Sequence, residues 1–151
     1  MANDAWASGH IRCLNLEERD VVLAEIEKLP SEPYEDDFSI WKGIFHAPVH
    51  PNRAGFLITI GLSHKYFGED NEIGKFLSFW ETFIENLPAH ELFIAVEQEF
   101  IWSDGPFGKF YFQWTRECVA KPSDSYWVFR GEPPLDFKWK SKFKTELDED
   151  E

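Results

Sequence analysis

Residues 91–102, "ELFIAVEQEFIW", decide how this chain folds. Leu92, Ile94, Val96, Phe100 and Trp102 share one parity, while Glu97 and Glu99 take the other. Alternation at period two is the signature of a strand with one face buried. The next residues, "SDGPFG" (103–108), carry turn chemistry. The chain then returns as "KFYFQWT" (109–115), with Phe110, Phe112 and Trp114 on one face. A connection this short favours antiparallel pairing. "YWVFR" (126–130) follows as a further strand, bounded by "KPSDS" and "GEPP".

The upstream half adds helices and two more strands. Residues 15–29, "NLEERDVVLAEIEKL", read as a helix. Asn15 caps it, and Glu18 completes a capping box. Val22, Leu23, Ile26 and Leu29 form its apolar face, and Pro30 follows its end. Residues 38–45, "FSIWKGIF", and 55–62, "GFLITIGL", are rich in strand formers, and the proline-rich "HAPVHPNRA" separates them. Residues 72–87, "EIGKFLSFWETFIENL", form the clearest helix. Ile73, Phe76, Leu77, Trp80, Phe83, Ile84 and Leu87 recur at helical spacing, with Lys75, Ser78, Glu81, Thr82 and Glu85 elsewhere. Asp70 or Asn71 is placed to cap its start. The expected architecture is α+β: a mainly antiparallel sheet of about five to six strands, with two helices packed on one face. Residues 1–145 make a single domain, and residues 146–151 an acidic tail.

Composition bounds the function. With 43% hydrophobic residues, including 15 Phe and 7 Trp, the chain has the material for a core. Acidic residues outnumber basic ones 28 to 15, for a net charge of −13. Such a field repels nucleic acid and anionic membranes and attracts basic partners. The two cysteines, Cys13 and Cys118, make no disulfide framework, and "MANDAWASGHIRC" lacks the apolar run of a signal peptide. A cytoplasmic protein is expected, with no membrane partner.

Motifs for catalysis or cofactors are weak. His46 and His50 have H-x3-H spacing, but Pro48 between them prevents the helix that spacing needs. His10 and Cys13 would add a ligand pair only if loops brought both pairs together, so no metal is expected. Ser63 and His64 are neighbours in "GLSHK", which is not triad geometry. Arg116 near Cys118 would lower a thiol pKa, although a structural cysteine explains the position better. Phosphate-cradling glycine motifs are absent, and no cofactor is expected. Glu97 and Glu99 would stand ~6–7 Å apart on one strand face, a spacing that suits glycoside hydrolysis. Among so many acids such pairs arise by chance.

"FKWKSKFK" (137–144) gathers four lysines in a strict alternation. It predicts a terminal strand with Phe137, Trp139 and Phe143 inward and Lys138, Lys140, Lys142 and Lys144 outward. Lysines in that position guard an open sheet edge. An anion-binding role is the sharper alternative.

The small size, the α+β pattern, the acidic run "EPYEDD" and the aromatic stretch "FIWSDGPFGKFYFQW" together resemble the immunity proteins that protect bacteria from polymorphic toxins and secreted effectors. The resemblance implies a toxin inhibitor, not an enzyme, acting by tight protein–protein interaction with a cognate basic toxin. Many such toxins are nucleases, whose basic clefts an acidic surface would block. It further implies a few aromatic anchors inside an acidic rim. Trp41 and Trp102 are the candidate anchors, and Glu35, Asp36, Asp37, Glu97, Glu99 and Asp104 the candidate rim. Two other readings compete: a small hydrolase using Glu97 or Glu99, and a structural adaptor or oligomer subunit.

Overall fold

Period-two segments pair into one sheet because each leaves a row of backbone donors and acceptors that only another strand can satisfy. The computed structural model describes residues 5–32, 40–47, 56–64, 70–98, 108–117, 125–131 and 139–145. Its strands are β1 (Ala5–Cys13), β2 (Phe45–His46), β3 (Phe56–His64), β4 (Glu91–Gln98), β5 (Gly108–Glu117), β6 (Tyr126–Gly131) and β7 (Lys144–Thr145). They form a seven-stranded sheet in the order β2-β3-β1-β4-β5-β6-β7. Every pairing is antiparallel except β6 with β7. The class is the α+β expected from the sequence, with one strand more than the upper count.

The additional strand lies at the heart of the sheet. β1 pairs with β3 on one side and β4 on the other. Its sequence, "AWASGHIRC", has a weak apolar pattern, since its inward positions are Ala7, Gly9, Ile11 and Cys13. At Gly9 no side chain fits. A Cβ on Gly9 would stand 1.8 Å from the Phe93 carbonyl oxygen of β4. The close backbone approach therefore selects glycine and dilutes the hydrophobic signal.

Both helices cover the same sheet face. Val22 and Ile26 of α1 (Leu16–Glu27) join one buried cluster with Ile11, Ile58, Leu92 and Trp114 from the sheet. Phe76, Leu77, Trp80 and Ile84 of α2 (Asp70–Ile84) complete it. The α1 cap forms as expected: the Glu18 amide donates to Asn15 Oδ1 at 2.8 Å, and Glu18 Oε1 accepts from the Leu14 amide at 2.8 Å. Two boundaries differ from expectation. Asp70 and Asn71 belong to α2 itself, which stops at Ile84 rather than 87. Of the strand expected over 38–45, Phe38 and Ser39 lie outside the described residues, Lys42–Ile44 turns as a 3-10 helix, and Phe45–His46 pairs as a strand.

Glu81 departs most from its expected place. It falls off the apolar stripe of α2, yet it is only 2% exposed. Its Oε2 accepts from the Trp114 indole at 2.8 Å and from the Ser141 hydroxyl, and its Oε1 accepts from the Lys142 amide at 3.0 Å. The C-terminal segment is thereby strapped along α2. Trp139 packs over Gly74, where a Cβ would come within 3.1 Å of its ring, and donates to Ser78 Oγ at 2.9 Å. Lys142 Nζ reaches Glu85 Oε2 at 2.7 Å. Gly74, Ser78, Glu81 and Glu85 line one face of the helix, as the i, i+3, i+4 spacing demands. The expected alternation survives, with Trp139, Ser141 and Phe143 half-buried and Lys140, Lys142 and Lys144 exposed. The expected long strand does not, because the Lys142 amide bonds a side chain instead of a ladder. Phe137 and Lys138 lie outside the described residues.

Two substitutions test this architecture. Gly9→Ala should destabilise the fold by about 1–3 kcal/mol, the usual cost of overpacking, in denaturant unfolding. Glu81→Ala strands three donors and should cost about 2–4 kcal/mol. Glu81→Gln, which keeps acceptor capacity, should cost less. Equal losses for Ala and Gln would show that the carboxyl does not organise the strap.

Candidate functional site

An amphipathic helix buries one stripe and shows the other, so the outer stripe of α1 is a surface set by sequence spacing. Leu16, Glu17, Asp20, Val21 and Ala24 are neighbours on that stripe and all are exposed. Leu16 is 49% exposed and Val21 48%, and Leu14 just before the cap is 59% exposed. These are the largest exposures among the described large apolar side chains. Helical spacing sets Glu17 and Asp20 beside them, and neither acid has a cationic partner among the described residues. Further along, Glu25 binds Lys28 at 2.8 Å, and Glu27 lies 3.9 Å from Lys42. Between Leu14 and Glu32 six acids stand against Arg19 and Lys28, and Arg19 is buried. The result is an acidic surface with an apolar centre.

The acids of the first turn also have a structural explanation. Glu17 and Glu18 in the first turn complement the helix dipole. Glu18 closes the capping box and also meets His90 Nε2 at 3.3 Å. Such roles account for the acids of the first turn. They do not account for Leu16 and Val21 facing water beside Asp20.

The outer face of the sheet is polar and aromatic. Trp6 opposes Glu97 across β1 and β4, and its indole N–H donates to Glu97 Oε2 at 3.0 Å. His10, Phe93 and Tyr111 stack in a row, with ring centroids 5.7 and 6.1 Å apart. Glu91 bridges His10 Nε2 at 2.5 Å and Gln113 Nε2 at 2.9 Å. Burial raises the Glu91 pKa, but the hydrogen bonds from His10 and Gln113 and the charges of His10 and Arg12 outweigh it and hold the carboxyl below its ordinary range. A general acid needs the opposite shift. The charges on this face are mixed, with Arg12, Lys109 and Arg130 set among Glu91, Glu97 and Glu117.

The sequence-assigned residues are placed as follows. Trp41 is half-buried and packs against the edge of the core. Glu97 sits on the outer sheet face in its bond to Trp6. Glu35, Asp36, Asp37, Glu99, Trp102 and Asp104 lie outside the described residues, as do His50 and Cys118. Trp41 and Glu97 belong to different parts of the fold, and the structure records no contact between them. His10 and Cys13 point to opposite faces of β1, so they cannot ligate one ion. Burial, then the charge of Glu18, pushes the Cys13 thiol up to about 11, leaving it protonated and inert at neutral pH. No helix among the described residues is long and apolar enough to cross a membrane. The α1 stripe was missed at the sequence level, although Leu16 and Val21 off the apolar face were a signal for it.

The chain matches no protein-family model, no characterised protein and no solved structure. Its residues and their geometry carry the functional reading.

The lowered Glu91 pKa has a signed consequence. The group contributes stability above the ordinary carboxylate pKa and loses it as the pH falls through the depressed folded value. Wild type should therefore exceed Glu91→Gln in stability above about pH 5, with the gap closing in acid. A gap independent of pH in urea unfolding between pH 2 and 7 (about the carboxylate range) would contradict this origin.

Proposed function

We propose that the chain is an immunity-type inhibitor, which neutralises a basic protein toxin by docking it on the outer stripe of α1. The observation that carries this reading is the exposed Leu14, Leu16 and Val21 set among Glu17, Asp20 and Glu27. Interfaces of this kind combine a desolvated apolar centre with a charged rim. The net charge of −13 supports a basic occupant, because the field that repels polyanions accelerates the approach of a cationic protein. The acidic run Glu35–Asp37 follows α1 in the chain and extends the same charge in sequence. Trp41 is half-buried against the core.

Hydrolysis draws less support. That reading needs Glu97 or Glu99; Glu97 accepts from Trp6 on the outer sheet face, and Glu99 lies outside the described residues.

The test compares tagged wild type with Asp20→Lys and Val21→Asp as capture reagents in host lysate, followed by expression of any captured protein alone. The expected result is one basic, stoichiometric partner that is toxic alone and is neutralised by wild type. Asp20→Lys should slow association with it about tenfold at low salt. Val21→Asp should weaken binding by at least about tenfold. A toxic partner bound equally by all three proteins would remove α1 from the interface. A captured partner without toxicity would sink the inhibitor reading.

A further inference from the structure

Both helices pack on one face of the sheet, and no described helix covers the other. On that outer face Trp6 is 41% and Tyr111 44% exposed. The charges that β1, β4, β5 and β6 place there balance, with Arg12, Lys109 and Arg130 against Glu91, Glu97 and Glu117. The chain as a whole carries −13, so two copies repel each other over most of their surface. A neutral face with exposed rings is where that repulsion is weakest. Exposed acids farther off than about 8 Å are largely screened at physiological ionic strength.

The strand register makes this face complementary to itself. Arg12 of β1 stands directly opposite Glu91 of β4. A two-fold axis parallel to the strands, between β1 and β4, sets Arg12 of each copy over the partner's Glu91. Arg12 is exposed and makes no ion pair among the described residues, so its charge is available. The same axis exchanges β3 with β5, which flank β1 and β4 in the sheet. Gly61 of β3 and Tyr111 of β5 lie in one row across the strands, joined through Ser8 and Ala95. The axis therefore brings Tyr111 over the partner's Gly61. A Cβ built on Gly61 meets nothing within 4 Å, which leaves room for a ring. Ser8 and Ala95 between them are small, so the two sheets can close on each other. The charge match and the shape match are independent observations, and both select the same axis.

We propose that two copies of this chain pair through the outer sheet face as a symmetric dimer. A closed two-fold contact uses the same patch on both copies, which is what the register provides. With the axis along the strands, the strands of both sheets run in one direction, and the twist of each sheet gives the aligned packing of a sandwich. Four strands over eight residues span a flat area of roughly 500 Å² per copy. That is at the low end for specific interfaces, so the dimer is reversible and depends on concentration. The outer stripe of α1 lies on the opposite layer and stays open in both copies. Pairing therefore does not compete with docking on α1, and it does not depend on the inhibitor reading.

The test is sedimentation equilibrium of the intact protein from about 5 µM to about 1 mM, a range that brackets a weak dimer. A monomer–dimer equilibrium is expected, with Kd of about 10–100 µM. Gly61→Leu fills the space that Tyr111 of the other copy needs. It should leave the monomer folded, because the Gly61 backbone is one that any residue adopts and its surroundings are open. It should raise Kd at least about tenfold. Tyr111→Ala, which removes the ring, should also weaken the dimer. Adding Tyr111→Ala to Gly61→Leu should recover much of the loss, as a leucine then enters the space the ring has left. Arg12→Glu, which sets like charges together, should raise Kd at least about tenfold. Urea unfolding checks that each variant is folded, and Gly61→Leu serves if Arg12→Glu is not. A monomer throughout the range overturns the dimer. A dimer of unchanged Kd in folded Gly61→Leu overturns this face as its interface.

Discussion

The structure turns on a carboxylate buried where it must be satisfied. Glu81 lies inside the helix–sheet interface, and a charge or polar group there is tolerated only with its hydrogen bonds made. It takes one bond from the sheet, through Trp114, and two from the C-terminal strap, through Ser141 and Lys142. One side chain therefore ties together three parts of the chain that are remote in sequence. The Ser141 hydroxyl also accepts from the Phe143 amide at 3.0 Å, which extends the network along the strap. Phe143 is thereby set beside Trp127, and Trp139 beside Phe129, with ring centroids 6.5 and 5.2 Å apart. The course of the strap along α2 follows from this clasp.

Charge is divided by position in the fold. At one end of the sheet α1 presents acids around exposed Leu16 and Val21. At the other end, lysines of the strap and Arg116 of β5 gather over aromatic rings. Between the two, the outer sheet face holds a balanced network in which Glu91 links His10 to Gln113. A net charge alone describes none of this. It predicts the sign of a partner felt at long range, while local excesses of either sign govern what binds at contact.

Much of the fold was legible because local rules acted alone. The capping box at Asn15 and Glu18 forms as its spacing implies, since cap bonds need only residues three or four apart. The apolar stripe of α2 is buried from Ile73 to Ile84 as its period dictates. β1 was illegible for a physical reason. Its central place brings the β4 backbone so close to Gly9 that a side chain cannot fit, and strand signals depend on large side chains. Glu81 was illegible because a helical wheel sorts residues by polarity and cannot see that an indole, a hydroxyl and an amide await it. Of the candidate binding residues, Trp41 and Glu97 are visible and stand apart, while the α1 stripe emerges only when the opposite face of the helix is seen to be buried.

By itself, then, the sequence determined the class, the two helices with their buried faces, most of the strands and the sign of the long-range field. Those follow from periodicity, capping and charge, which are properties of residues near one another in the chain. The tertiary structure alone decided that a weakly patterned N-terminal segment is a central strand, that Glu81 is a buried clasp, and that the alternating lysines belong to a strap along α2. Each of these depends on contacts between residues far apart in sequence: Gly9 with Phe93, Glu81 with Trp114 and Ser141, Lys144 with Tyr126. Such contacts form only once the chain has closed on itself, because the groups that satisfy or exclude one another meet nowhere else.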